Sequence, residues 1–112
     1  MIEKTHRLKK NFQFSYIYKR GKAKHAKDIV VVFAKCKRQP FKVGFSVGKN
    51  VGKSVVRSLV KRRMSECFNA LKDKVPTNYN YVFVAKPSSN EITFLQMKNQ
   101  FELLLEKICA EN

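Results

Sequence analysis

The sequence predicts a single α+β domain, a small αββαβα sandwich with helices packed on a mixed sheet. Three observations carry this. The 112 residues, 44% of them apolar, can supply one modest core. Runs at 28–35, 41–47 and 79–85 combine β-branched and aromatic residues in the manner of strands. Between and around them, apolar residues recur at helical spacing. No internal repeat or low-complexity linker interrupts the chain, so 1–112 reads as one domain.

Asn11 can cap a first helix running to about Lys19 and stopped by Gly21. Its aromatics fall into two sets, with Phe14, Ile17 and Tyr18 on one side and Phe12 and Tyr16 roughly opposite. One core cannot bury both sets, so either one is exposed for binding or the N-terminal segment covers Phe12 and Tyr16. Asp28 to Lys35 is apolar on both faces and reads as a central strand. A turn over Lys37–Pro40 leads into 41–47, where Val43, Phe45 and Val47 alternate with Lys42, Gly44 and Ser46. The two strands are expected to pair as an antiparallel hairpin, with the helices covering one face of the sheet.

A helix from Ser54 to about Lys72 follows, with Val56, Val60, Met64, Cys67 and Leu71 as its apolar stripe. Ser58, Lys61, Arg62 and Ser65 lie opposite, Arg57 sits at the border, and Arg63 must snorkel from the apolar edge. Pro76 closes this segment, and Tyr79–Ala85 is the next strand. The unit from 41 to 85 can therefore be a parallel strand–helix–strand crossover, for which the general rule is right-handed. After the loop at 86–90, Thr93 with Gln96 three residues on forms a capping box. The last helix carries the stripe Phe94, Met97, Phe101, Leu104, Leu105 and Ile108 and reads as a core-packing helix.

Charge narrows the function. Lys and Arg number 24 against 8 acids, for a net charge of +16. Residues 1–63 alone carry +17, and the remainder −1. So one-sided a field points to a polyanion. No apolar run approaches a membrane span, no basic amphipathic helix carries Trp, and no signal peptide is evident, so no membrane partner is expected. Cys36, Cys67 and Cys109 form no CxxC pair and suit reduced thiols in a cytoplasmic protein.

The stretch GKNVGKS, from Gly48 to Ser54, suggests a nucleotide-binding P-loop, but the spacing refuses it. The loop's first glycine belongs at position 47, which is Val47. Neither Asp28 nor Asp73 follows an apolar strand as a metal-holding acid would. No zinc spacing, acid pair or nucleophile–base arrangement replaces it, so neither a nucleotide cofactor nor a protein-held metal is expected, and no catalytic residue is assigned. What remains is a phosphate-binding surface. Lys49 and Lys53 flank a turn, a helix N-terminus follows, and Arg57, Lys61 and Arg62 continue the strip. This helix follows a strand rather than another helix, unlike a DNA-reading helix-turn-helix. Aromatics beside the basic residues favour single-stranded RNA.

These residues resemble the protein subunits of bacterial ribonuclease P over about Arg7 to Ile108. Three pieces carry the resemblance: Arg7 to Asn11 with Phe14, Tyr18 and Gly21; Val43 to Val47 with Lys49, Gly52 and Lys53; and Arg57, Lys61 and Arg62. The last matches the family's RNxxKRxxR motif, with Ser58, Leu59 and Ser65 as departures and Arg63 as a partial replacement. The resemblance implies a left-handed βαβ crossover, against the general rule. It implies an RNA-binding subunit whose catalytic partner is an RNA holding Mg2+. Lys49, Lys53, Arg57, Lys61, Arg62 and Arg63 would dock on that RNA. Phe14 and Tyr18, with Val32 and Lys86 by carry-over, would line a cleft for the 5′ leader of precursor tRNA. A ribosomal or general structural RNA-binding protein is the alternative.

Overall fold

The computed structural model describes residues 11–35 and 41–110. The elements run α1 (Asn11–Arg20), β1 (Lys22–His25), β2 (Ile29–Lys35), β3 (Val43–Val47), α2 (Ser54–Ala70), β4 (Tyr79–Ala85) and α3 (Phe94–Cys109). Short 3-10 turns precede α2, follow it, and join β4 to α3. The four strands form one mixed sheet in the order β1-β2-β4-β3.

The order corrects the expected hairpin. β2 pairs antiparallel with β4, Ile29 opposite Ala85, and β3 pairs with β4 in parallel, Val43 beside Tyr81. β4 is buried along nearly its whole length, and a strand apolar on both faces belongs in the middle of a sheet. It therefore separates β2 from β3, and α2 makes the parallel crossover. A further strand, β1, lies antiparallel against β2 at the other edge. Its sequence, KAKH, has one apolar residue and gives no alternating signal, as suits a charged edge strand.

The helices also occupy both faces. The main core gathers Val31, Phe33, Val43, Tyr81 and Phe83 with Met64 and Phe68 of α2 and Phe101 and Leu104 of α3. Phe83 and Phe101 stack with centroids 4.5 Å apart. Ile17 of α1 sits on the opposite face against Ala34 and Val82, with Phe14, Val32 and Val84 around it. Gly21 makes that seat possible. Its N–H donates to the Ile17 carbonyl at 2.7 Å, ending α1. A Cβ there would stand 2.7 Å from the Phe33 carbonyl oxygen.

The capping box at α3 forms as expected. The Gln96 N–H donates to Thr93 Oγ1 at 3.1 Å, and the Thr93 N–H donates to Gln96 Oε1 at 2.8 Å. Thr93→Ala leaves a helix-end donor without its partner and is expected to cost about 1 kcal/mol, read as a lowered denaturant midpoint. Cys67 is buried in the core, and desolvation first, with the neighbouring Glu66 charge second, pushes its thiol up to about 12 against a weaker opposing effect of Lys98. It is a packing residue with no thiolate at neutral pH. Among the described residues no helix is long and apolar enough to cross a membrane.

Candidate nucleic-acid interface

Three elements enclose a groove of about 540 Å³. The start of α2 forms one wall. Ser54, Arg57, Ser58 and Lys61 recur at i, i+3, i+4 and i+7, a polar stripe beside the buried one that includes Val60 and Met64. α1 contributes Phe14 and Tyr18, and β3 contributes Phe45, Ser46 and Val47.

Local sequence sets the position of α2. The 3-10 turn Lys49–Val51 ends at Gly52, whose φ of 156° lies in the region that favours glycine. A Cβ at Gly52 would also crowd Val56 at 3.0 Å. Val51 is buried, and its carbonyl accepts from Asn90 Nδ2 at 2.6 Å, which pins this turn to the β4–α3 connection. α2 then begins with no side-chain cap, since Lys53 makes no capping hydrogen bond. Its first N–H groups and positive dipole end are left for a ligand.

The groove is chemically two-sided. Tyr18 is 46% exposed and Phe14 half-buried, so ring surface faces solvent. Across from the rings stand the Arg57 guanidinium and the Lys61 ammonium. Arg57 Nε is shielded from solvent and has no hydrogen-bond partner within the protein. A guanidinium donor in that condition is set to meet an anion's oxygen. Ser46, Ser54 and Ser58 add hydroxyls and little bulk.

The expected site residues are therefore only partly brought together. Arg57 and Lys61, assigned to the surface for the catalytic RNA, stand in one groove with Phe14 and Tyr18, assigned to the leader cleft. Lys49, Lys53 and Arg62 are exposed outside the groove lining, and Arg63 is half-buried as its edge position requires. Val32 packs beneath α1 in the smaller core rather than lining the groove. Of the two aromatic sets, Ile17 turns inward while Tyr16 and Tyr18 are both exposed; the Phe12 side chain and Leu8 lie outside the described residues. Phe45, Ser46, Val47 and Ser54 join the lining without having been singled out for it. The alternation of β3 pointed Ser46 to the open face, which was the available signal.

Lys86 belongs to a different arrangement. Its Nζ donates to the Ala26 carbonyl at 2.8 Å, beside Asp28. Asp28 is 2% exposed, accepts from Ser88 Oγ, and accepts from Gln100 Nε2 at 2.7 Å. The Asp28 N–H donates back to Gln100 Oε1 at 2.8 Å. This joins the β1–β2 turn, the β4–α3 connection and α3. Burial raises the carboxyl's pKa, but the Ser88 and Gln100 hydrogen bonds and the charges of Lys27 and Lys86 outweigh it, leaving it below the ordinary 3.8. A lowered carboxylate pKa gives stability that is present above 3.8 and lost as pH falls through the folded value. Asp28→Asn is thus expected to lower the melting temperature at neutral pH. The gap to the unmutated protein should narrow below about pH 4 in melts taken across acid pH.

Comparisons with known proteins place this geometry. The model of the family described as Ribonuclease P matches residues 2–109. The chain belongs to the ribonuclease P protein family. It is 32% identical to the ribonuclease P protein component of Alkaliphilus metalliredigens over 107 residues, 96% of each chain. It is 33% identical to a Bacillus cereus ribonuclease P protein component over 98 residues, 87% of this chain and 85% of that one. Its fold superposes on the Staphylococcus aureus RNase P protein with a TM-score of 0.85 at 31% identity, covering 94% and 96% of the two chains. The Thermotoga maritima RNase P protein gives 0.82 at 26% identity, with 90% and 96% covered. As a ribonuclease P protein component, the chain is a subunit of the ribonucleoprotein that processes the 5′ ends of tRNA, and its partner is the RNase P RNA.

Proposed function

We propose that this subunit contributes binding and leaves the chemistry to its RNA. The groove seats the single-stranded 5′ leader of precursor tRNA, with bases against Phe14 and Tyr18 and phosphates on Arg57 and Lys61. The exposed cations outside it, Lys49, Lys53 and Arg62 with Arg63 at the edge, dock on the RNase P RNA. The observation that carries this reading is the pairing of exposed rings with a partnerless buried guanidinium nitrogen in one groove. Each stacked base is worth ~1–3 kcal/mol. Val32 supports the leader site from beneath by seating α1, and Lys86 by fixing the end of β4.

Magnesium belongs with the RNA on this reading. The groove offers hydroxyls and cations but no carboxylate, and no group of three His, Cys, Asp or Glu stands together among the described residues. Such a donor set does not fit a hard divalent cation. A subunit of a tRNA-processing enzyme works where tRNA is made, so we place it in the cytoplasm.

Cleavage of precursor tRNA at low magnesium tests the proposal. The protein alone should leave the substrate intact, RNase P RNA alone should cut poorly, and the mixture should cut at the mature 5′ end. The assembled enzyme should bind precursor tRNA more tightly than leaderless tRNA. A protein that binds RNA equally with or without a leader, and does not help the RNA cut, would instead be a structural RNA binder.

A further inference from the structure

We infer that the free edge of β3 holds the leader's base through main-chain groups, so that this groove accepts any of the four bases. The inference rests on the leader reading above and adds how the base is held.

β3 is the last strand of the sheet and pairs only with β4. The Tyr81 N–H donates to the Lys42 carbonyl at 2.9 Å, so the main chain of Lys42 faces β4. The N–H and C=O of one strand residue point to the same side, and successive residues alternate sides. Gly44 and Ser46 therefore face β4 as well. Val43, Phe45 and Val47 present their N–H and C=O away from the sheet. Phe45 and Val47 line the groove. Each brings a donor beside an acceptor to the same side of the strand.

Every base carries a matching pair on its Watson–Crick edge. Adenine offers the N6 amino group beside N1, cytosine the N4 amino group beside N3, guanine N1–H beside O6, and uracil N3–H beside O4. A peptide N–H and C=O can bind any of these. The lining side chains add nothing that would select among them. Ser46, Ser54 and Ser58 bear hydroxyls that donate or accept, Arg57 and Lys61 suit phosphate, and no amide or carboxylate side chain lines the groove. Base choice by side chains rests on amides, carboxylates or a guanidinium placed against a base edge. Here the guanidinium faces the rings, and the base would lie between them with its edge on β3. The positive charge of the groove favours a nucleotide over a peptide added as a fifth strand, unless that peptide is acidic.

Val47→Pro tests the edge. Proline removes the Val47 N–H, which faces away from β4, and so leaves the ladder intact. Val47→Ala controls for the lost side chain. Both are measured in the assembled holoenzyme, on precursor tRNA and on leaderless tRNA. Val47→Pro should lose roughly fivefold in affinity for precursor tRNA, relative to Val47→Ala, with leaderless binding unchanged. Independently of any variant, removing the base at each leader position in turn should reveal one position that matters. Exchanging A, C, G and U there should change affinity less than about twofold, within one weak hydrogen bond. A strong preference for one base there, or equal affinities of Val47→Pro and Val47→Ala for precursor tRNA, would overturn the inference and leave the leader reading standing. So would displacement by an acidic extended peptide that depends on the Val47 N–H while leader binding does not. No preference for the leader in the unmutated enzyme would overturn the leader reading itself. If Val47→Pro lowers the melting temperature enough to unfold the subunit, the base-removal and base-exchange series decides alone.

Discussion

Replacing Arg57 with alanine is expected to lower the holoenzyme's affinity for precursor tRNA roughly tenfold or more, as loss of a charged hydrogen bond does. Leaderless tRNA should be affected much less. The reasoning is geometric. Arg57 Nε is shielded from water with no protein partner, and the side chain lines the same groove as Phe14 and Tyr18. Its loss removes one phosphate contact, so the slope of log affinity against log salt should fall by about 0.7, the value for a single strand. Phe14→Ala should also weaken leader binding, by ~1–3 kcal/mol for a stacked base, but with the salt slope unchanged. Arg57→Lys should recover only part of the loss, because an ammonium keeps the charge without the planar fork. Affinity titrations at several salt concentrations separate these cases. An Arg57→Ala holoenzyme that assembles poorly yet binds leader normally would return Arg57 to the surface for the catalytic RNA.

Gly21→Ala is expected to destabilise the protein by about 1–3 kcal/mol, the usual cost of overpacking. It should also weaken leader binding. The added Cβ would lie 2.5 Å from the Ile17 carbonyl oxygen, 2.7 Å from that of Phe33 and 3.0 Å from Val32 Cγ1. Two of those three atoms are backbone and cannot swing aside. Relief requires α1 to move off β2, which carries Phe14 and Tyr18 with it. Denaturant unfolding reads the stability and precursor binding reads the groove. A stable Gly21→Ala protein with normal leader affinity would show that α1 can shift without deforming the site.

Most elements could be read from the chain because their signals are local. The α3 capping box needs only Thr93 and Gln96, and the stripe of α2 only its own spacing. Strand order is not local. Adjacent strands usually pair, yet β4, far along the chain, takes the place between β2 and β3 because both its faces are apolar. β1 escaped notice because an edge strand of Lys, Ala, Lys and His shows no pattern. At the site, Arg57, Lys61, Phe14 and Tyr18 were all identifiable by type. That they share one groove depends on α1 crossing the sheet face opposite α2 and α3, which no periodicity reveals. Lys86 shows the converse. Its charge suggested an RNA contact, but the carbonyl of Ala26 and the carboxylate of Asp28 engage it.

The seating of α1 has a consequence for how the groove behaves over time. α2 and β3, which form the other two sides, are anchored in the main core, whereas α1 rests on a minor cluster whose one fully buried helical side chain is Ile17. Burying such a side chain contributes about 1.5–3 kcal/mol. Lifting the helix therefore costs a fraction of unfolding the domain, and its amides should exchange with solvent well before those of β2 and β4. One jaw of the groove is fixed and the other is lightly sprung. A leader that fills the space adds its own contacts to that weak seat, so bound RNA should slow exchange in α1 more than anywhere else in the fold.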